Sequence, residues 1–86
     1  MKYVIYQGGM YPWDVFLFPV TMNHSDAHRL FSNGRKLVSA GKVGIGNYMN
    51  GQFIAATPGS VSLKVKWSKE AQEQDDRIIR MQFREF

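Results

Sequence analysis

His24 and His28 stand four residues apart with Asp26 between them. On a continuous helix two imidazoles at that spacing share a face and make half of a divalent-metal site, with Asp26 or Asp14 as the nearest third ligand. His24 falls where a helix cap is expected, before regular helical geometry begins. The pair therefore reads as capping or surface histidines, and no metal or cofactor is expected. Gly41-Lys42-Val43-Gly44-Ile45-Gly46 has the outline of a phosphate loop, but Val43 follows the lysine where a P-loop needs serine or threonine, and no helix opens behind it. It reads as a strand carrying glycines. A serine nucleophile would have to pair Ser25, Ser39 or Ser60 with His24 or His28, and nothing in their spacing orients such a pair. Asp75 and Asp76 are adjacent on a helical stretch and are expected to face solvent. With no catalytic motif left, the chain is expected to bind rather than to catalyse.

Two groups of residues suit binding. Gly9-Met10-Tyr11-Pro12-Trp13-Asp14 is dense in large side chains where loops are usually polar, and Tyr and Trp are frequent interface anchors. Tyr11 and Trp13 are thus candidate partner contacts, the other reading being that they fold back onto a small core. Lys64 and Lys66 alternate with apolar residues, so they project from one strand face, where Lys42, Arg35 and Lys36 could join them. Lys42, Lys64 and Lys66 then form a basic face for an acidic partner surface. A basic sheet face among aromatics is also how several folds take single-stranded nucleic acid, which is the alternative function.

The elements that must hold these residues fit one domain of 86 residues. Hydrophobic residues make up 44% and charged ones 21%, a globular profile. A chain of this size buries roughly 60–65% of its unfolded surface, so homodimerisation is one available remedy for a thin margin. Without cysteine it has neither disulfides nor thiolate metal sites. Its apolar runs are too short for a signal peptide or a membrane span, so the expected location is the cytoplasm. The net charge of +4 is uneven. Residues 1–68 carry seven basic and two acidic side chains (+5), and residues 69–86 four basic and five acidic (−1). That asymmetry permits an anionic partner.

Lys2–Tyr6 and Val15–Phe18 read as a hairpin, the second strand an edge ended by Pro19. A short helix over Ser25–Ser32 is capped from Asn23, His24 or Ser25, has an apolar face of Ala27, Leu30 and Phe31, and stops at Asn33-Gly34. Leu37–Ile45 and Gln52–Ala56 read as strands about a turn at Asn47–Gly51, and Thr57–Ser60 as a further turn. Val61–Trp67 gives the clearest alternation, with Val61, Leu63, Val65 and Trp67 inward and Ser62, Lys64 and Lys66 outward. Ser68 caps a longer C-terminal helix that buries Ala71, Ile78, Ile79, Phe83 and Phe86. The expected fold is α+β: a mainly antiparallel sheet of four to five strands, a short helix after strand 2 and a longer C-terminal helix on one face.

The stretches FPVTMNHSDAHRLF, LVSAGKVGI and GSVSLKVKWSKEAQEQDDRII, between Phe18 and Ile79, resemble small accessory proteins encoded by phages of Gram-negative bacteria. The shared features are a strand ending in Phe-Pro, a short helix after a histidine, an SAG-x-V strand and an S-x-S-L segment leading to the last helix. The resemblance implies a phage product working in the host cytoplasm by stoichiometric binding to a host or phage protein. Inhibitors of bacterial defence nucleases, anti-CRISPR proteins among them, are one such group. It assigns no functional residues.

Overall fold

The computed structural model describes residues 1–9, 12–48 and 51–82, and the backbone alone over 45–48 and 51–54. Six elements follow in order: β1 (Lys2–Gln7), β2 (Trp13–Phe18), α1 (His24–Phe31), β3 (Leu37–Tyr48), β4 (Gly51–Pro58) and α2 (Lys69–Gln82). The four strands form one antiparallel sheet in the order β2-β1-β3-β4, so the α+β expectation holds with four strands. β1 is central because its Tyr3, Val4, Ile5 and Tyr6 are buried on both faces, and only a covered strand can be apolar without alternation. Tyr3 and Ile5 pack with Val43, Ala56, Ile78 and Ile79 beneath α2. Val4 and Tyr6 pack with Phe18, Ala27 and Ala40 beneath α1. The sheet is thus the middle of three layers.

Both helices begin where the side chains supply an acceptor. The Asn23 carboxamide oxygen accepts the Asp26 N–H at 3.1 Å, and Ser68 Oγ accepts the Ala71 N–H at 3.0 Å. The face that α1 buries differs from the expected one. Leu30 is 67% exposed, and the inward stripe is His24, Ala27, His28 and Phe31, at i, i+3, i+4 and i+7. Two histidines complete the stripe because each finds a polar partner inside, as the site geometry makes plain. After α1, Asn33 (φ 46°) and Gly34 (φ 79°) turn the chain toward β3.

In β3, a register shift sets Ile5 opposite Ser39 and Tyr6 opposite Leu37, leaving Val38 as an extra residue of a β-bulge. Gly41 is the close approach expected of a strand glycine: an added Cβ would lie 2.3 Å from the Thr57 carbonyl oxygen. β3 and β4 are longer than expected. Asn47, Tyr48 and Gly51 lie in paired strand, as do Thr57 and Pro58, and the remainder of the expected Asn47–Gly51 turn lies outside the described residues.

The largest departure is at Val61–Trp67, which is not a strand. Ser60 and Val65 exchange backbone hydrogen bonds of 2.9 Å, closing a loop over residues 61–64. Ser60 Oγ accepts the Leu63 N–H at 3.3 Å, and Lys64 takes a left-handed φ of 59°. Leu63 and Val65 point inward onto the α1-side core as their alternation required. Val61 and Trp67, expected inside, are 99% and 57% exposed. The chain has to return from the end of β4 to the start of α2 while covering the sheet beside α1, and a folded-back loop does both.

Gly41→Ala is expected to cost about 3 kcal/mol, since the clash is with backbone of the paired strand. Gly44→Ala, where a Cβ meets nothing within 4 Å, should be neutral or stabilising by up to about 1 kcal/mol. Urea unfolding of the two variants beside the wild type checks both values.

Candidate functional site

None of the sequence-suggested catalytic arrangements is assembled. His24 Nε2 donates to the Gly41 carbonyl at 2.9 Å, tying α1 to β3. His28 Nδ1 shares a 2.9 Å hydrogen bond with the Tyr6 hydroxyl and stacks on its ring at 5.7 Å. Each imidazole is thus engaged with its own partner, and no metal-binding cluster of His, Asp or Glu occurs among the described residues. Ser25 donates to Asn23, Ser39 to Asp75, and Ser60 shares a contact with Ser62, so none of the three serines meets a histidine.

Arg35, expected on the basic face, is engaged in structure instead. Its guanidinium pairs with Asp14 of β2 and donates to the Phe31 carbonyl at 2.6 Å, while Nε donates to the Ser32 carbonyl at 3.1 Å. It lies 5.1 Å from the Phe16 ring centroid and 5.4 Å from that of Tyr6. One side chain therefore closes the C-terminal carbonyls of α1 and fastens them to the β2 edge.

The most unusual chemistry is one the sequence reading missed. Asp75, expected in solvent, is fully buried at the centre of α2. Its Oδ2 accepts 2.5 Å hydrogen bonds from the Tyr3 hydroxyl of β1 and the Ser39 hydroxyl of β3, and Oδ1 has no partner among the described residues. Burial pushes the carboxyl above its ordinary value and outweighs the two donors, which favour the ionised form. Burial, with the neighbouring carboxylate, drives the Tyr3 hydroxyl far above the phenol range. The three groups are sealed from substrate beneath α2, so they hold the helix rather than act on a ligand. The half-buried Asp76 beside them accepts the Ala56 N–H of β4 at 2.5 Å. A polar residue three and four positions before an Ile-Ile pair, and so on the same inward face, with tyrosine and serine on neighbouring strands, was the available signal.

The candidate contact residues fall on two sides of the sheet. Trp13 packs half-buried against the α2-side core, so it serves the core and the surface together. It borders an open groove of about 570 Å³ with Gln7, Pro12, Lys36, Leu37 and Val38, and a smaller one of about 180 Å³ with Ile78, Met81 and Gln82. Tyr11 lies outside the described residues. Lys42 is exposed on β3, directly opposite Lys2 and Thr57 in the neighbouring strands, on the α1 side. Lys64 and Lys66 are exposed too, but on the 60–67 segment and not on a sheet strand. Trp67 follows Lys66 directly, and its indole N–H donates to Gln72 at 2.7 Å. The structure thus keeps Lys64 and Lys66 together, adds Val61 and Trp67 to them, and places Trp13 on the opposite face. The basic sheet face expected from alternation does not form at these lysines, because the residues that carry them fold back as a loop. No described helix is long and apolar enough to cross a membrane.

Asp75 makes a signed pH prediction. Its folded value lies above the unfolded value of 3.8, so the folded state binds the extra proton in the window between them. The stability difference between wild type and Asp75→Asn should be most favourable to the wild type below pH 3.8 and fall as pH rises through the folded value. The slope has a limit of about 1.4 kcal/mol per pH unit. Melting temperatures of both proteins across the acid to neutral range test this; a difference that grows with pH contradicts it.

Comparison with family models, with curated proteins and with solved structures finds no match for this chain.

Proposed function

We propose that this chain is a non-enzymatic, phage-type accessory protein that binds a host or phage protein, in the manner of an inhibitor of a bacterial defence nuclease complex such as an anti-CRISPR. The reading joins the resemblance of the Phe18–Ile79 stretches to one observation. The loop after β4 displays Val61 at 99% exposure and Trp67 at 57%, with Lys64 and Lys66 between them.

Three physical points support a docking role. The loop is held at both ends, by the Ser60–Val65 backbone pair and by Leu63 and Val65 in the core, so its exposed residues are presented in a fixed arrangement. Lys64 sits at a positive φ, a conformation a β-carbon disfavours by about 1–2 kcal/mol. An apolar tip and an indole rimmed by two lysines match the make-up of an interface anchor facing an acidic surface. Regulating a nuclease by stoichiometric binding requires no catalytic group of its own, and the buried polar side chains here are used to hold helices on the sheet.

The second reading, a nucleic-acid-binding module, draws on the same loop, since an exposed indole beside lysines can stack a base. The two readings separate by salt response and partner class.

The test is affinity purification from bacterial cells with mass spectrometry, followed by binding measurements on the captured protein. Lys64→Gly removes the charge while suiting the positive φ, and Lys66→Ala and Trp67→Ala remove the neighbouring contacts. Wild type should retain one protein stoichiometrically, and Trp67→Ala should weaken it by about 2 kcal/mol or more with its melting temperature unchanged. Unaltered affinity in all three variants overturns the docking site. A mobility shift with oligonucleotides that fades steeply with salt, and no protein captured, favours the second reading.

A further inference from the structure

The two edges of the sheet are finished differently, and that difference points to a second interface. In an antiparallel ladder, alternate residues bond to one neighbour and then the other. Gln7 donates to Lys36 and Gly59 to Ala40, which fixes the alternation across β1, β3 and β4. On this pattern Gln52, Ile54, Ala56 and Pro58 of β4 turn their backbone outward. Ala56 N–H is taken up by Asp76, and Pro58 has no N–H, so this edge is closed at its end beside α2.

On the opposite edge, Gly8 donates to Pro12 at 3.1 Å, which sets Asp14, Phe16 and Phe18 toward β1 and turns the backbone of Trp13, Val15 and Leu17 outward. None of these three outward amides has an acceptor among the described residues. Their one guard within the strand is Asp14, whose charge Arg35 neutralises. β2 reads Trp-Asp-Val-Phe-Leu-Phe, with no lysine or proline and no bulge against β1. Edge strands usually carry such protection. Five of its six side chains are half-buried, so each keeps apolar or polar surface to give to a neighbour.

We infer that β2 pairs antiparallel with β2 of a second copy of this chain about a two-fold axis, joining the two sheets edge to edge. The inference is independent of the docking loop, which lies on another part of the molecule. Charge and register select a second copy over another partner. The only charge on β2, Asp14, is neutralised by Arg35 of its own chain, so the edge offers no attraction to a charged partner and no repulsion between copies. Centring the pairing on Val15 uses all three outward residues: Trp13 meets Leu17 of the second copy, Val15 meets Val15, and Leu17 meets Trp13. These side chains share the α2 side of the sheet, so every cross-strand pair there is apolar. Shifting the register toward the start of β2 would set Asp14 against Asp14. An isologous contact of this kind closes on itself after two copies.

Sedimentation of the wild-type chain from micromolar to millimolar concentration should show a reversible monomer–dimer equilibrium and nothing larger. Val15→Pro removes one outward N–H per copy and leaves the β1 ladder intact. Two interface bonds are lost, so dimerisation should weaken by roughly a hundredfold. Leu17→Lys, which sets a charge on the edge, should act in the same direction if the proline variant does not fold. Isotope-filtered NMR on mixed labelled and unlabelled wild type should show contacts between Leu17 of one copy and Trp13 of the other. A wild type that stays monomeric throughout, an open-ended assembly, or a dimer without those contacts overturns the inference.

Discussion

The attachment of α2 to the sheet by two consecutive aspartates is the constraint on which the rest of the structure depends. Asp75 reaches under the helix to Tyr3 and Ser39, and so joins α2 to β1 and β3 at once. Asp76 turns to the side and takes the Ala56 N–H of β4. Adjacent positions on a helix are set about 100° apart, so one pair of carboxylates addresses the sheet's underside and its margin together. Ile78 and Ile79, a turn further on, supply the apolar area that makes burial of Asp75 tolerable. The cost is one carboxylate oxygen without a partner. The fold accepts it in return for fixing the helix in one position, a use of buried polar groups that favours specificity over raw stability.

The opposite face is held by different means. There α1 is short, and its eight residues turn a buried and a half-buried imidazole inward with only Ala27 and Phe31 as apolar partners. His24 satisfies a carbonyl of β3, His28 a tyrosine of β1, and Arg35 ties the helix end to β2. The loop from Ser60 to Val65 completes this layer with Leu63 and Val65. Because these two residues must go inward while the chain reverses, Val61 is left at the tip and Trp67 at the exit. The exposed residues on which the proposed docking role rests are therefore a by-product of how the second face is covered.

Much of this was legible in the residues. β1 and β2 stand out by their β-branched and aromatic runs, Asn23 and Ser68 by their capping chemistry, and Gly41 by its place within a strand. Three features were not. The alternation at Val61–Trp67 is the same whether the segment extends a sheet or folds back on a single bridge, and Lys64, with no glycine or asparagine near it, gives no sign of a positive φ. The histidines of α1 look like surface residues because their partners, a carbonyl and a hydroxyl, come from strands distant in sequence. Asp75 sits in a charged run where solvent exposure is the ordinary reading, and only the strand residues Tyr3 and Ser39 make its burial intelligible. In each case the deciding partner lies far along the chain, where local pattern has no reach. The contact candidates divide in the same way: Lys64 and Lys66 stay together because they are neighbours, whereas Trp13 and Lys42 are sent to opposite sides by the pleat.

Amide hydrogen exchange, residue by residue in dilute solution, bears most directly on the claim that α2 takes up the Ala56 amide on one edge of the sheet and leaves the β2 edge bare. The account predicts slow exchange at Ala56, where Asp76 accepts the amide, and fast exchange at Val15, flanked by slow exchange at Asp14 and Phe16. Rapid exchange at Ala56, or protection of Val15 at a concentration where the chain is monomeric, would contradict it.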